Sequence, residues 1–160
     1  MLTVSGTGEM TDGEDYGAAP WEDVKAFIRE IVIEDGVESV GAYMFWDCEN
    51  VTKVTLGEDV FRIGKAAFLY CDGLTGIQLP QGIGYVDDWA FIHCKALSKV
   101  YVPLSLNYFG DSVFLGCENL TDIYFEGDAD VWESMTWIIS RGWRSRHTTA
   151  GHMSRYTITY

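Results

Sequence analysis

The chain has no run of about 18 apolar residues, so no segment is expected to cross a membrane as a helix. It does not start with a basic stretch followed by an apolar one, so no signal peptide is read there. No G-x-S-x-G, H-E-x-x-H or P-loop pattern occurs, which leaves no catalytic motif to build on. Cysteine is limited to four residues, spaced far apart rather than in close pairs such as C-x-x-C, and the three histidines (His93, His147, His152) do not recur beside them. That spacing argues against a metal site, and no metal or cofactor is expected. Positive charge is also scarce, with 11 lysines and arginines against 24 aspartates and glutamates and a net charge of −13. An acidic body of this kind repels phosphates and is a poor partner for nucleic acid.

What the chain does have is a repeat. From Gly36 to Glu126 a pattern of about 23 residues is written four times without a gap. One column holds Phe45, Phe68, Phe91 and Phe114, and another holds Cys48, Cys71, Cys94 and Cys117. Val51, Leu74, Leu97 and Leu120 form a third column. Val54, Ile77, Val100 and Ile123 form the next, followed by Leu56, Leu79, Val102 and Phe125. Upstream lie Val37, Val60, Ile83 and Leu106, then Val40, Ile63, Val86 and Phe109. Each copy has an apolar side that it cannot bury alone, and stacking the copies turns each column into a ladder. An inserted residue would swing every later side chain to the wrong face of its strand, which explains the absence of gaps.

Within a copy, Val54-Thr55-Leu56 and its equivalents alternate like a strand. Val37 to Val40 reads as a second short extended piece, closed by Gly41, Gly64 and Gly110 as turn glycines, with Asp87 in that place in the third copy. The stretch from Ala42 to Asn50 is too short for a full α-helix and is expected to be a bend or 3₁₀ turn. The fold predicted from this is a β-rich, right-handed solenoid with two strands per coil and N- and C-terminal caps, a single domain over 1–160. The N-terminal cap takes 1–35, the four repeats 36–127 and the C-terminal cap 128–160.

The pattern V-x-x-[IV]-G-x-x-A-F-x-x-C-x-x-L-x-x-I-x-L-P resembles the BspA-type leucine-rich repeat. It reads most closely at Ile63-Gly64-Lys65-Ala66-Ala67-Phe68-Leu69-Tyr70-Cys71 and at Leu74-Thr75-Gly76-Ile77-Gln78-Leu79-Pro80. Met44 and Val113 depart from it by replacing the alanine before Phe, and proline follows only the second and third copies. Leu2 to Met10 with Pro20-Trp21 resembles the segment that precedes the first repeat, and Trp132 the segment that closes the array. The resemblance implies a non-catalytic module of secreted or surface proteins, at work in adhesion. It therefore implies an extracellular or cell-surface location and a protein or glycan partner. A surface protein needs a signal sequence, so the chain is expected to be a mature or truncated piece of a longer one; it is expected to be a monomer.

The flanks are less regular. Leu2 to Ser5 alternates and is read as a strand, with Gly6-Thr7-Gly8 as a turn. A short helix is predicted from Pro20 to about Ile28, with Trp21, Val24, Phe27 and Ile28 on one face covering the first coil. Ile31 and Ile33 begin a partial repeat one period before Val54 and Leu56. After the array, Asp128 is placed as the cap of a brief helix carrying Val131, Trp132 and Met135. Residues 137–155 hold two tryptophans, four arginines and two histidines, a basic segment that either binds an anion or lies against the acidic body. Tyr156 to Tyr160 alternates as a last strand expected to pair with the final coil.

Two side-chain groups call for a decision between packing and chemistry. The cysteines would lie near 5 Å from rung to rung, within reach of a disulfide, but ladder side chains point the same way. Buried free thiols are the expectation. His93 adjoins Cys94, yet adjacent residues in such a turn point apart, and a surface histidine is the reading. Asn50-Val51-Thr52 and Asn119-Leu120-Thr121 match a glycosylation acceptor only because the repeat produces them.

The surplus lies in outward aromatic residues. Tyr101 with Tyr124, and Tyr85 with Tyr108, point away from the predicted core, while Tyr43, Trp46, Tyr70 and Trp89 lie in the turns. Such residues are favoured at interfaces but also stabilise a solenoid by stacking on each other. The candidate surface is Tyr101 and Tyr124 with Lys99 and Asp122, extended by Tyr85, Tyr108 and Trp89. A binding module is the first functional reading, a spacer in a larger surface protein the second, and an enzyme with its site in the irregular tail the third.

Overall fold

The computed structural model describes residues 1–13 and 19–127, together with the backbone of Thr157–Thr159. Its strands run β1 (Leu2–Val4), β2 (Gly8–Glu9), β3 (Glu30–Ile33), β4 (Val37–Val40), β5 (Lys53–Thr55) and β6 (Arg62–Ile63). They continue as β7 (Gly76–Gln78), β8 (Tyr85–Val86), β9 (Lys99–Val102), β10 (Tyr108–Phe109), β11 (Asp122–Phe125) and β12 (Thr157–Thr159). All pairings among them are parallel. The chain is therefore a parallel β-solenoid with two strands per coil.

The odd-numbered strands stack along one side, in the runs β1-β3-β5 and β7-β9-β11 with β12 added to the end. The even-numbered strands form one continuous ladder, β2-β4-β6-β8-β10. Ile31 lies on Val54, Ile77 on Val100 and Val100 on Ile123, which is the one-repeat register that the alignment implies. The caps leave that step: Leu2 pairs with Ile31 and Ile123 with Ile158. The expected first and last strands therefore form.

The turns between the ladders hold a regularity that the sequence does not announce. Each contains two residues with left-handed backbone. One column is Tyr43, Ala66, Trp89 and Ser112, with φ of 59°, 53°, 63° and 57°. The other is Asp47, Tyr70, His93 and Gly116, with φ of 58°, 60°, 60° and 78°. For a non-glycine residue this conformation costs about 1–2 kcal/mol. The return is a third hydrogen-bonded ladder. Alternate amides of one turn face the next coil, so Tyr43, Phe45 and Asp47 donate to the carbonyls of Lys65, Ala67 and Leu69. Ala66, Phe68 and Tyr70 do the same to Asp88, Ala90 and Ile92, and Trp89, Phe91 and His93 to Asp111, Val113 and Leu115. The segment is thus a bend, as expected, with its amides satisfied between coils rather than within a helix.

Inside the three ladders lies one dry core. Phe45, Phe68 and Phe91 are fully buried, and Phe114 is nearly so. Their rings stack at 5.3, 5.2 and 5.8 Å between centroids, and Trp21 adds a fifth ring 4.9 Å from Phe45. The cysteines are free and buried. Each later thiol donates to the carbonyl of the phenylalanine one coil back: Cys71 to Phe45 at 3.2 Å, Cys94 to Phe68 at 3.1 Å and Cys117 to Phe91 at 3.1 Å. Cysteine suits this column because it is small, apolar and still carries a weak donor.

Burial also changes the thiols' acidity. It pushes Cys48 up to about 12 from an ordinary 9.0, and holds Cys71 and Cys94 well above that value. The folded state therefore keeps its protons where the unfolded chain has lost them. This stability is complete below about pH 9 and declines as pH climbs toward 12. Denaturant midpoints should fall steeply between pH 9 and pH 11. The native thiols should resist a thiol reagent at pH 8, and all four should react once the chain is denatured without reductant.

Two expectations change in detail. The predicted helix is a 3₁₀ helix over Glu22–Phe27 with no buried residue. Trp21 and Ile28 do turn inward, but they sit at its two caps. Val24 and Phe27, three apart in a helix of three residues per turn, share the opposite row and are 51% and 79% exposed. The glycines that follow the even strands are not positive-φ turn residues either. A Cβ on Gly64 would come within 2.7 Å of the Ala42 nitrogen, and one on Gly110 would run into the backbone of Asp88, so closeness of the coils is what favours glycine there. Asp87 takes the equivalent place in the third copy and turns its carboxylate to Arg62, with Nη2 to Oδ2 at 2.6 Å. The Asp128 helix, its residues Val131, Trp132 and Met135, and the basic segment 137–155 lie outside the described residues.

Candidate binding face

The odd-numbered ladder presents its outward side chains in rows. Strand alternation sends Val54, Ile77, Val100 and Ile123 inward, so their neighbours on both sides point out. One outward row runs Glu30, Lys53, Gly76, Lys99, Asp122, and the next runs Val32, Thr55, Gln78, Tyr101, Tyr124.

Of the predicted surface residues, Tyr101 and Tyr124 come together, stacked at 4.6 Å with planes 9° apart. Tyr101 remains 43% exposed and Tyr124 is partly so. Lys99 stands exposed opposite Asp122, whose Oδ2 accepts the Thr121 hydroxyl at 3.0 Å. Tyr85 and Tyr108 meet at 6.3 Å on the even ladder, both exposed, so they belong to a different side of the solenoid. Acidic neighbours and burial bear on Tyr108: desolvation, then Asp88, Asp87 and Asp111, raise its hydroxyl pKa. Trp89 lies in the turns with Lys65 Nζ 4.6 Å from its ring. The structure thus divides the seven predicted residues among three sides. His93, expected on the surface, is half-buried and stacks on Tyr70 at 5.1 Å.

A groove crosses the odd face beside Tyr101, with a volume of about 660 Å³. Lys53, Glu58, Gly76, Gln78, Lys99 and Tyr101 are among the residues that line it. It falls where the strand ladder is interrupted between β5 and β7. The sequence carries a trace of it, since Gly76 is the one residue without a side chain in its row, but only the stacked register shows which rows flank the gap.

Among the described residues the other basic side chains have partners. Lys25 meets Glu22 at 2.7 Å and Asp47 at 3.2 Å, Lys53 meets Glu30 at 2.7 Å, Arg62 meets Asp87 at 2.6 Å and Lys95 meets Asp72 at 2.6 Å. Arg29 donates to the Ala26 carbonyl at 3.0 Å, and Lys65 covers Trp89. Among the described residues Lys99 has neither an ion pair nor a ring beneath it. No group of three or more acidic, histidine or cysteine residues suited to a metal occurs among them. No helix among them is long and apolar enough to cross a membrane.

Comparison with known proteins gives the fold its relatives. Among solved structures, a leucine-rich repeat protein of T. pallidum matches with a TM-score of 0.64 at 22% identity, covering 72% of this chain and 51% of its own. A leucine-rich cell surface protein of Faecalibacterium prausnitzii A2-165 matches with a TM-score of 0.69 at 22% identity, covering 82% and 33%. A leucine-rich repeat protein of Bacteroides ovatus matches at 0.61 with 25% identity, covering 74% and 30%. This chain therefore spans about half or less of the length of these proteins. No curated protein matches it. The sequence profile of the BspA type leucine rich repeat region (6 copies) matches residues 24–137, reaching beyond the four in-register copies at both ends. With that profile over most of the chain, and a parallel solenoid in which each coil repeats the register of the last, the protein belongs to the BspA-type leucine-rich repeat family.

Proposed function

We propose that the chain is a non-catalytic binding module of a secreted or cell-surface protein, holding a protein or glycan on the outer face of its odd-numbered ladder. The family is one of repeat modules for interaction or scaffolding, and one similar structure is described as a cell surface protein. The observation that carries the reading is the stacked, part-exposed pair Tyr101 and Tyr124 on the outer side of that ladder. Two rigid rings held in one orientation offer contact area with little conformational entropy left to lose.

The stacking also favours a second reading. Tyr101 and Tyr124 contact each other across coils, which strengthens the array without a ligand and suits a spacer. One experiment separates the two. The chain is applied to an array of purified extracellular-matrix proteins and glycans, alongside Tyr101→Ala/Tyr124→Ala. The ring pair contributes about 0.5–1.5 kcal/mol beyond its buried area, so the double variant should still fold. Binding weakened by about tenfold or more in that variant is the expected outcome. Capture of nothing by the parent chain leaves the spacer; capture unchanged in the variant removes this face.

A further inference from the structure

We propose that the open edge of β1 pairs with the same strand of a second copy, joining two chains through their N-terminal ends as a two-fold, antiparallel dimer.

The two ladders end differently on this side. The even ladder ends in β2, where the register shifts between Gly8 and Glu9 and the exposed Glu9 adds a charge. A bulge and a charge are the usual means of keeping an edge strand from pairing. The odd ladder ends in β1, and no strand among the described residues pairs with its outer edge. β1 lies in regular register on β3, contains no proline, and no residue from 1 to 8 has a charged side chain. Val4 gives its carbonyl to the Glu34 amide. Backbone groups alternate in direction along a strand, so Thr3 turns its N–H and its C=O to the open side.

The same stretch selects the occupant. Met1, Thr3 and Ser5 are exposed, whereas Leu2 and Val4 turn toward the core and are only partly buried there. This in–out pattern reads identically in both directions about Thr3. A two-fold axis at Thr3 makes it a hydrogen-bonded pair with the Thr3 of the second copy, and sets Leu2 against Val4 on the side of the core. Charge points the same way. A chain of net charge −13 repels its own copies over most of its surface and attracts basic partners there. The uncharged stretch before Glu9 is where that repulsion is weakest and where a basic partner gains nothing. A three-residue strand is small for an interface, but apolar surface adjoins it. Leu2 pairs with Ile31, so Met1 lies near the Glu30 end of the stretch that begins at Phe27. Met1 is 80% exposed, Phe27 79% and Val24 51%.

The test is sedimentation velocity of the full chain from micromolar to millimolar concentration. A species of twice the 18.0 kDa chain mass should grow with concentration. Added salt should favour it by screening the like-charged bodies. Thr3→Lys sets two ammonium groups against each other on the axis and should raise the concentration of half-dimerisation by about tenfold or more. Residue 3 is exposed, and melting temperature verifies that the variants fold. Thr3→Cys reads the register. In the two-fold pair its two copies have Cα atoms about 5.5 Å apart, within reach of a disulfide. Oxidised glutathione should therefore convert that variant to a covalent dimer on a non-reducing gel, while the four native thiols stay buried. A single 18.0 kDa species throughout, or a dimer unmoved by Thr3→Lys, would overturn the interface. Open-ended growth without a Thr3→Cys cross-link would mean head-to-tail stacking of coils. Dissociation by salt would mean that the basic segment 137–155 holds the acidic body of a second copy. Either result would overturn the two-fold pairing.

Discussion

Phe91→Ala is expected to destabilise the chain by about 3–5 kcal/mol, a large share of the stability of a domain this size. The ring is fully buried and lies between two others, 5.2 Å from Phe68 and 5.8 Å from Phe114. Its removal costs the transfer of the ring and leaves a cavity between two coils that the surrounding ladders cannot close. The coils above and below are fixed by amides such as Phe91 to Val113 at 3.0 Å and Phe68 to Ala90 at 2.8 Å, so collapse would break hydrogen bonds. Phe91→Leu retains most of the volume and should cost about 1.5 kcal/mol or less. Urea denaturation read by circular dichroism gives both values. A Phe91→Ala chain with the parent's midpoint would show that the stack contributes nothing as a unit.

Trp21→Ala should cost about 3 kcal/mol, the lower end for a large aromatic residue because Trp21 is only partly buried. Trp21 closes the N-terminal end of the ring stack at 4.9 Å from Phe45, and its indole Nε1 donates to the Met44 carbonyl at 2.8 Å. In the interior coils, equivalent carbonyls receive amides from the neighbouring turn, as Ala67 receives Phe45. The first coil has no preceding turn of the repeat, and the indole takes that place. Trp21→Phe isolates the two effects: it preserves a ring on the stack and removes only the hydrogen bond, at about 1 kcal/mol. Hydrogen exchange supplies the spatial check. Amides from Tyr43 to Cys48 should lose protection in Trp21→Ala before those from Trp89 to Cys94 do, because a solenoid unravels from an uncovered end. Uniform loss across all coils would mean that Trp21 is not a cap.

Most of the architecture was legible because the repeat is self-checking. Seven columns in register define the core, and Ile31 with Ile33 one period early announces β3 before the first full copy. The predicted Pro20–Ile28 helix did not take the form expected because its apolar residues mixed two roles: Trp21 and Ile28 at the caps face the core, and Val24 and Phe27 between them do not. Helical period could not separate them. The left-handed residues Tyr43, Tyr70 and Trp89 were also hidden, because nothing in a tyrosine or tryptophan side chain signals a positive φ. The carbonyls of the next coil favour that conformation, and they become neighbours only when the coils stack.

The sequence alone determined the number of coils, their register and which side of each strand is dry, since one unbroken spacing and one apolar pattern admit a single stacking. It also placed Phe45, Phe68, Phe91, Phe114 and the four cysteines inside. Only the tertiary structure decided what the outer surface is. It set Tyr101 on Tyr124, put Tyr85, Tyr108 and Trp89 on other sides, placed Lys99 opposite Asp122 and opened a groove beside Tyr101. The reason is that burial selects the inward residues by one property, hydrophobicity, which a sequence displays. The outward residues acquire meaning only from neighbours one repeat away, and those distances exist only in the folded chain.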